Sequence, residues 1–384
     1  MPVSLYLAFK ELWRNRVRYL LVSLVIALIT LLVLFNAALG EGLGTNNRQY
    51  VAGLDAQLIV FSEKADYLIQ SSRLDQSALR AVHRLEGVAD AGPISTANTA
   101  ITLADGKVLK VSLLGVQAGS PGMPPVVEGS TLLTAQAKEV VIDRNVALRS
   151  DIRVGDDITI RSTQGSEDEF FTLHVVGMAE GQAYFFQPSV FVSPVVWETV
   201  RPKPEAELSK SVADVNVIAV KLDEPEAADA MARAIAARVP NVAVADIATT
   251  INSIPGYTAQ QGTVQTMTIF TLLIGILVIG GFFQIQVLQK VAQIGVLKAI
   301  GTSNGLVGGA SVAQIMLVTA LGVSLGGLFT FAFSLFFPPT VPLVFNGAAI
   351  AVAVAALLVV GPLGGLVSVI YAVLIEPLRA LRLT

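Results

Sequence analysis

The stretch AIGTSNGLVGGASVAQIMLVTALGVSLGGLFTFAFSLFFPPTVPLVFNGAAIAVAVAALLVVGPLGGLVSVIYAVLI, Ala299 to Ile375, contains no Asp, Glu, Lys or Arg. A water-facing fold needs charge over such a length, so this sequence faces lipid or the inside of a helix bundle. A helix that crosses the hydrocarbon core takes about 20 residues at about 1.5 Å each. Four segments qualify: Tyr19–Leu39, Met267–Leu288, Leu306–Phe336 and Ala348–Ile375. Pro338-Pro339 should end the third, because proline has no N–H to donate, and Pro362 predicts a kink in the fourth. Between the first and second spans lies a long polar region. The expected fold is therefore integral membrane and α-helical, with four transmembrane helices and an α/β extracytoplasmic domain inserted between helices 1 and 2.

The expected divisions are a cytoplasmic amphipathic lead-in helix at 1–18, the first span at 19–40 and the inserted domain at 41–262. The second span follows at 263–289, a cytoplasmic segment at 290–305 and the third span at 306–336. An outer loop at 337–347, the fourth span at 348–375 and a cytoplasmic tail at 376–384 complete the chain. Lys10, Arg14, Arg16 and Arg18 resemble the basic start of a secretory signal, but the apolar run after them is longer than the usual 7–15 residues, roughly, of a signal core. An uncleaved first span is expected.

Orientation follows from Lys and Arg near the span ends. The first flank has Lys10, Arg14, Arg16 and Arg18, the segment after the second span has Lys290 and Lys298, and the tail has Arg379 and Arg382. With four spans these flanks share one side, which places both termini in the cytoplasm of a multi-pass cell-membrane protein and the insert outside. Gly322 and Gly326 lie four apart, as do Gly361 and Gly365, with Gly280-Gly281 and Gly308-Gly309 as further points for close helix approach. The polar groups Asn36, Gln284, Gln286, Gln314 and Ser334 within the spans are not ionisable, which argues against transport driven by an ion gradient.

The insert is read as strands at Gln57–Phe61, Val108–Leu114, Glu139–Ile142, Asp157–Arg161, Phe170–Val176, Val190–Val192, Val215–Lys221 and Asn241–Val244. Helical spacing marks Leu74–Leu85 and Glu224–Val239. The first membrane helix is expected to continue past Gly40 into the insert.

Composition narrows the functions. The chain is 53% hydrophobic and 14% charged, with a net charge of −3, so it lacks the basic field of a nucleic-acid binder. It has no cysteine, hence no disulfide and no thiolate site. No Gly-x-x-x-x-Gly-Lys-Ser/Thr loop or His-Glu-x-x-His occurs, so neither nucleotide hydrolysis by that route nor that metalloprotease set is expected of the chain itself. His83 and His174 read as solvated or structural, Glu167-Asp168-Glu169 as a hairpin tip, and Tyr184-Phe185-Phe186 as packing or a docking surface.

The strongest motif is Gln293-Ile294-Gly295-Val296-Leu297-Lys298-Ala299-Ile300-Gly301. It resembles the signature of MacB/FtsX-type (type VII) ABC transporter permeases, in which many members carry Glu at the position of Gln293. The start Lys10–Tyr19 and the tail Ile375-Glu376-Pro377-Leu378-Arg379 are similar to the family's ends. The resemblance implies a homodimer served by two copies of a separate ABC ATPase that binds the ATP. It implies that Gln293, Ile294, Gly295, Leu297, Lys298, Ala299, Ile300 and Gly301 dock on that ATPase. Ile294, Leu297 and Ile300, spaced by three, would present one apolar face. Phe9–Asn46, Val140–Ile160, Phe282–Gly301 and Pro339–Pro342 further resemble the haemin-exporting branch, which implies haem as transported substrate and no intrinsic cofactor. Candidate haem contacts are Phe35, Glu41, Tyr50, Tyr257 and Met267; Glu, Tyr and Met can ligate iron, and no metal site is assigned. Export of another amphiphile, such as a lipid, lipoprotein or peptide antibiotic, and FtsX-like transmission of force to an extracytoplasmic partner are the alternatives.

Overall fold

The computed structural model describes residues 3–207, 214–337 and 341–375, with side chains from residue 9 onward. Pro338, Pro339 and the tail charges Arg379 and Arg382 lie outside the described residues. The chain divides into two units, Met1–Gly42 with Gln261–Thr384 and Leu43–Gln260.

The first unit is helical. A short α1, Val3–Arg14, precedes α2, Arg16–Ala52, whose last ten residues belong to the second unit. The long apolar helices that follow are α8, Tyr257–Gln289, then α10, Asn304–Ser334, and α11, Gly347–Leu374, with the short α9, Val291–Ala299, between α8 and α10. Among the described residues, four helices (α2, α8, α10 and α11) are long and apolar enough to cross a membrane. Their limits differ from the expected spans. Hydropathy ends where lipid contact ends, but a helix persists as long as its backbone bonds do. The polar turns Gly42–Ala52 and Tyr257–Thr266 therefore remain helical. Ser303 starts α10 by accepting from Leu306 N–H at 3.3 Å, and Asn346 starts α11 by accepting from Ala348 N–H at 3.0 Å. α11 runs unbroken through Pro362.

The bundle is built on small residues. On α2, Tyr19, Val22, Ser23, Ile26, Ala27, Thr30, Val33 and Leu34 are buried, a spacing of three and four that keeps one stripe inward. Leu20, Leu24, Leu28 and Leu32, on other faces of the same helix, are exposed. A Cβ on Gly322 would sit 2.6 Å from Ile26 Cβ, and one on Gly326 would sit 2.6 Å from the Ala27 carbonyl, so these two glycines let α10 approach α2. Gly361 and Gly365 of α11 face Thr319 and Ile315 of α10 in the same manner.

Among the described residues, the second unit is an α/β domain around one ten-stranded sheet. Its strands are β1 (Leu58–Ser62), β2 (Val88–Thr102), β3 (Val108–Val116), β4 (Val126–Gly129), β5 (Glu139–Asp143), β6 (Asp157–Gln164), β7 (Glu167–Ala179), β8 (Ser189–Val192), β9 (Val217–Leu222) and β10 (Val242–Asp246). Helices α3 (Gln76–His83), α4 (Arg144–Ser150), α5 (Pro194–Val200), α6 (Ala228–Arg238) and α7 (Ile247–Asn252) pack on it. The order is β10-β1-β9-β2-β3-β8-β5-β7-β4, and β6 bridges β7 back to β2. The first half of β2 pairs with β9 from Val88 to Ile94, and its second half pairs with β3 and, at Ala100–Thr102, with β6. The strands β2, β3, β8, β5, β7 and β6 thus close into a ring around Ile101, Leu113, Ile142, Ile160, Val175 and Trp197.

In the flatter half, period-two alternation separates two cores. Leu58 and Val60 face Val82 of α3 and Ile235 of α6, whereas Ile59 and Phe61 face a second core that includes Tyr50 and Val51 at the end of α2. The expected strands are present with shifted ends. The expected helix Glu224–Val239 is a 3₁₀ turn, Pro225–Ala227, followed by α6. β2 and β4 have no counterpart in the sequence reading. Gly92 and Pro93 interrupt the apolar pattern of β2. A Cβ on Gly92 would meet Ser120 Cβ at 2.7 Å, so close approach demands glycine there.

Asp143 ends β5 and caps α4, and it is fully buried. Burial pushes its carboxyl above the ordinary aspartate range, opposed by hydrogen bonds from Asn145, Gln182 and Ser189. An acid with a raised folded pKa stabilises the fold fully below its unfolded pKa of about 3.9 and loses that contribution as pH rises through the folded value. Asp143→Asn cannot titrate. Its melting temperature is expected to fall less than that of the native protein between pH about 4 and about 7, and parallel curves would reject this account.

Candidate functional site

The signature motif lies on α9. Lys290 breaks the path between α8 and α9, and α9 ends on a glycine. Gly301 has φ +98°, its N–H donates to the Lys298 carbonyl at 3.0 Å, and Thr302 N–H donates to the Leu297 carbonyl at 3.0 Å. This paired closure satisfies carbonyls that the helix end would otherwise leave open, and a residue with a Cβ is strained at that φ.

The structure redistributes the roles expected of the motif. Ile294 turns inward and packs with Val287, Val307, Ala372 and Ile375, so the expected face of Ile294, Leu297 and Ile300 is corrected. The exposed apolar residues are Val296, Leu297 and Ile300, the last 76% exposed. Gly295 is buried, while Gln293 and Ala299 are exposed. Lys298 points back into the bundle, where its Nζ donates to the carbonyls of Val373 and Ile375 at the end of α11. A cation there satisfies carbonyls left without helical partners and complements the negative end of the helix dipole.

Beside α9 lies a cavity of about 750 Å³. Three of its lining residues, Gln286, Gln314 and Lys290, meet at the Tyr19 hydroxyl, which donates to Gln286 Oε1 at 3.2 Å and accepts from Gln314 Nε2 and from Lys290 Nζ. Lys290 also pairs with Glu11 and lies 5.8 Å from the centre of the Tyr19 ring. Gln286 and Gln314, read separately from sequence, thus meet in one polar cluster.

A smaller apolar cavity of about 160 Å³ is lined by Leu31 and Phe35 of α2, Phe333 of α10, and Phe337, Leu343 and Phe345 after it. Phe35 and Phe337 stack with centroids 5.5 Å apart. Close packing holds the neighbouring loop, since Val344 N–H donates to the Ala38 carbonyl at 3.1 Å.

The expected haem contacts fall in different places. Phe35, Glu41 and Met267 belong to the first unit, Met267 being 55% exposed. Tyr50 is a correction: it is 1% exposed, packs against Tyr184 and Phe191, and donates its hydroxyl to the Gly122 carbonyl at 2.8 Å. A phenol so buried and bonded is a core residue, not an iron ligand. Tyr257 packs against the same core.

The other candidates have structural surroundings. His83 faces Asp90 at 3.2 Å and His174 faces Asp157 at 2.8 Å, both at the surface. Glu167–Glu169 stand beside the β6–β7 turn. Tyr184 is buried, which pushes its hydroxyl pKa up, whereas Phe186 is exposed. Among the described residues, no group of three or more His, Asp or Glu could hold a metal.

The comparisons match both units. The profile of the MacB-like periplasmic core domain matches residues 19–238, and that of the FtsX-like permease C-terminal region matches 266–377. The chain belongs to the MacB/FtsX-type family and is the permease subunit of an ABC transport system, a multi-pass membrane protein. Such a system implies an ATPase partner. The chain is similar to the hemin transport system permease protein HrtB of Staphylococcus haemolyticus, 24% identical over 98% of each chain. It is 21% identical to HrtB of Staphylococcus epidermidis, again over 98% of each. Among solved structures, the extracellular domain of the noncanonic ABC-type transporter YknZ from Gram-positive bacteria aligns at 11% identity and TM-score 0.35, covering 50% of this chain and 98% of that one. The periplasmic region of MacB from Actinobacillus actinomycetemcomitans aligns at 12% identity and TM-score 0.38, covering 53% of this chain and 95% of that one. Likenesses that loose bear no weight for function.

Proposed function

We propose that this chain is the permease of an ATP-driven system that exports haem from the membrane, working as a homodimer with two copies of a separate ATPase and with both termini in the cytoplasm. The observation that carries the reading is the end-to-end match, 98% of each chain, to relatives named for hemin transport. The orientation is supported by Arg14, Arg16, Arg18, Lys290 and Lys298, which flank the spans on one side.

Closure of the ATPases would press on Val296, Leu297 and Ile300. Ile294 and Lys298 fasten α9 to α8, α10 and α11, so the push spreads through the bundle. Haem is planar, amphipathic and at home in a bilayer, and it would reach the permease sideways from the outer leaflet. The Phe35–Phe337 stack offers an aromatic face for one edge of the macrocycle, with Glu41 and Met267 as the remaining polar and sulfur candidates.

The test is a haemin titration of the permease with its ATPase in lipid nanodiscs, read in the Soret region. A saturable, shifted band is expected, with affinity weakened about tenfold or more when Phe35→Ala, Glu41→Gln and Met267→Leu are combined. A band identical to that of haemin in empty nanodiscs would remove haem as cargo and leave a permease for another amphiphile.

A further inference from the structure

The cavity of about 750 Å³ beside α9 has a composition that helix packing alone does not require. Lys10, Arg14, Arg18 and Lys290 line it, against a single carboxylate, Glu11, which is already paired with Lys290. Arg14 and Arg18 are exposed side chains on α1 and α2 that share this one opening. Deeper in, Phe283, Val287, Leu306 and Ile315 form an apolar wall. Gln286 also lines the cavity; it is 3% exposed, and its Nε2 has no hydrogen-bond partner among the described residues. A buried donor left unmade is costly, so a resident acceptor is the simplest resolution.

We infer that this cavity binds an anionic phospholipid, its headgroup phosphate held by Arg14 and Arg18 within reach of the Gln286 amide and its acyl chain on the apolar wall. The volume lies within the range of about 300–1,000 Å³ typical of ligand sites. Basic pockets between membrane helices hold acidic headgroups because charge and hydrogen bonding act together where water is scarce. A free phosphate would leave the apolar wall unused, which favours a lipid. The occupant would touch α1, α2, α8, α9 and α10 together, bracing the segment that carries Val296, Leu297 and Ile300. Placing this lipid in the cytoplasmic leaflet rests on the orientation proposed above; the binding itself does not.

The test uses the full-length permease alone in detergent, without ATPase or haemin, so its result is separate from that of the transport reading. Native mass spectrometry follows titration with phosphatidylglycerol, with phosphatidylcholine of the same acyl chains, and with glycerol 3-phosphate as competitor. One phosphatidylglycerol per chain is expected, bound about tenfold or more tightly than phosphatidylcholine. Arg14→Gln with Arg18→Gln should erase that preference while leaving the melting temperature of the lipid-free protein unchanged, because both side chains are exposed. Gln286→Met should weaken phosphatidylglycerol while keeping the preference over phosphatidylcholine. Equal uptake of both lipids, or an unaltered preference in the double arginine variant, would overturn the site. Displacement by glycerol 3-phosphate would overturn the lipid and point to a soluble phosphate.

Discussion

Val296→Glu combined with Ile300→Glu is expected to separate the permease from its ATPase while leaving the membrane protein folded. Both residues are exposed, at 48% and 76%, and neither belongs to a buried core cluster. The double variant should therefore melt with the native protein. At an interface, buried apolar anchors typically carry about 2 kcal/mol or more each, and a carboxylate driven into the same pocket adds its desolvation cost. The combined loss should be about 100-fold or more in ATPase affinity, measured by co-purification and titration, together with loss of permease-stimulated hydrolysis. Lys298→Gln provides the contrast. It removes the bonds to the Val373 and Ile375 carbonyls, so it should lower the melting temperature before it weakens docking. Native affinity in the double glutamate variant would mean that α9 is not the docking element.

Gly280→Leu should cost the bundle about 3 kcal/mol, the upper end of ordinary overpacking penalties. A Cβ on Gly280 would lie 2.6 Å from the Gly364 carbonyl oxygen, and one on Gly364 would lie 2.6 Å from the Ile276 carbonyl oxygen. Backbone faces backbone, so no side chain can swing aside. The helices must separate, and the lipid tails that would fill the gap replace good contacts with indifferent ones. Gly281, the next residue, has nothing within 4 Å of its Cβ position, and Gly281→Leu should be tolerated. The measurement is thermal unfolding of the two variants in the same detergent. Equal melting temperatures would show that the α8–α11 crossing does not depend on glycine.

The four long apolar helices were readable because hydrophobic length acts locally along the chain. α2 continues past Gly40 as expected, but hydropathy could not show how far it or α8 runs, since Gly42–Ala52 and Tyr257–Thr266 are helical without being greasy. β2 was hidden because Gly92 and Pro93 break its alternation and its two halves serve different partners. The motif on α9 was found, but its inward and outward faces were not. A spacing of three aligns Ile294, Leu297 and Ile300 without saying that α9 would bury the first and expose the others. Tyr50 shows the same limit. An aromatic residue in a polar run looks like an interfacial anchor until Tyr184 and Phe191 close over it. The arginines of the first flank could be read for orientation only. That they line one cavity with Gln286 depends on residues more than two hundred and fifty positions apart in sequence.

The ring of β2, β3, β8, β5, β7 and β6 bears on how the inserted domain behaves as a neighbour. A strand inside a closed ring has its main-chain donors and acceptors taken on both sides, so it offers no template for a foreign chain. Outside the ring the sheet terminates at β10, of five residues, and at β4, of four. Both termini are short, which limits the chance that two permeases crowded in one membrane zip together by strand exchange.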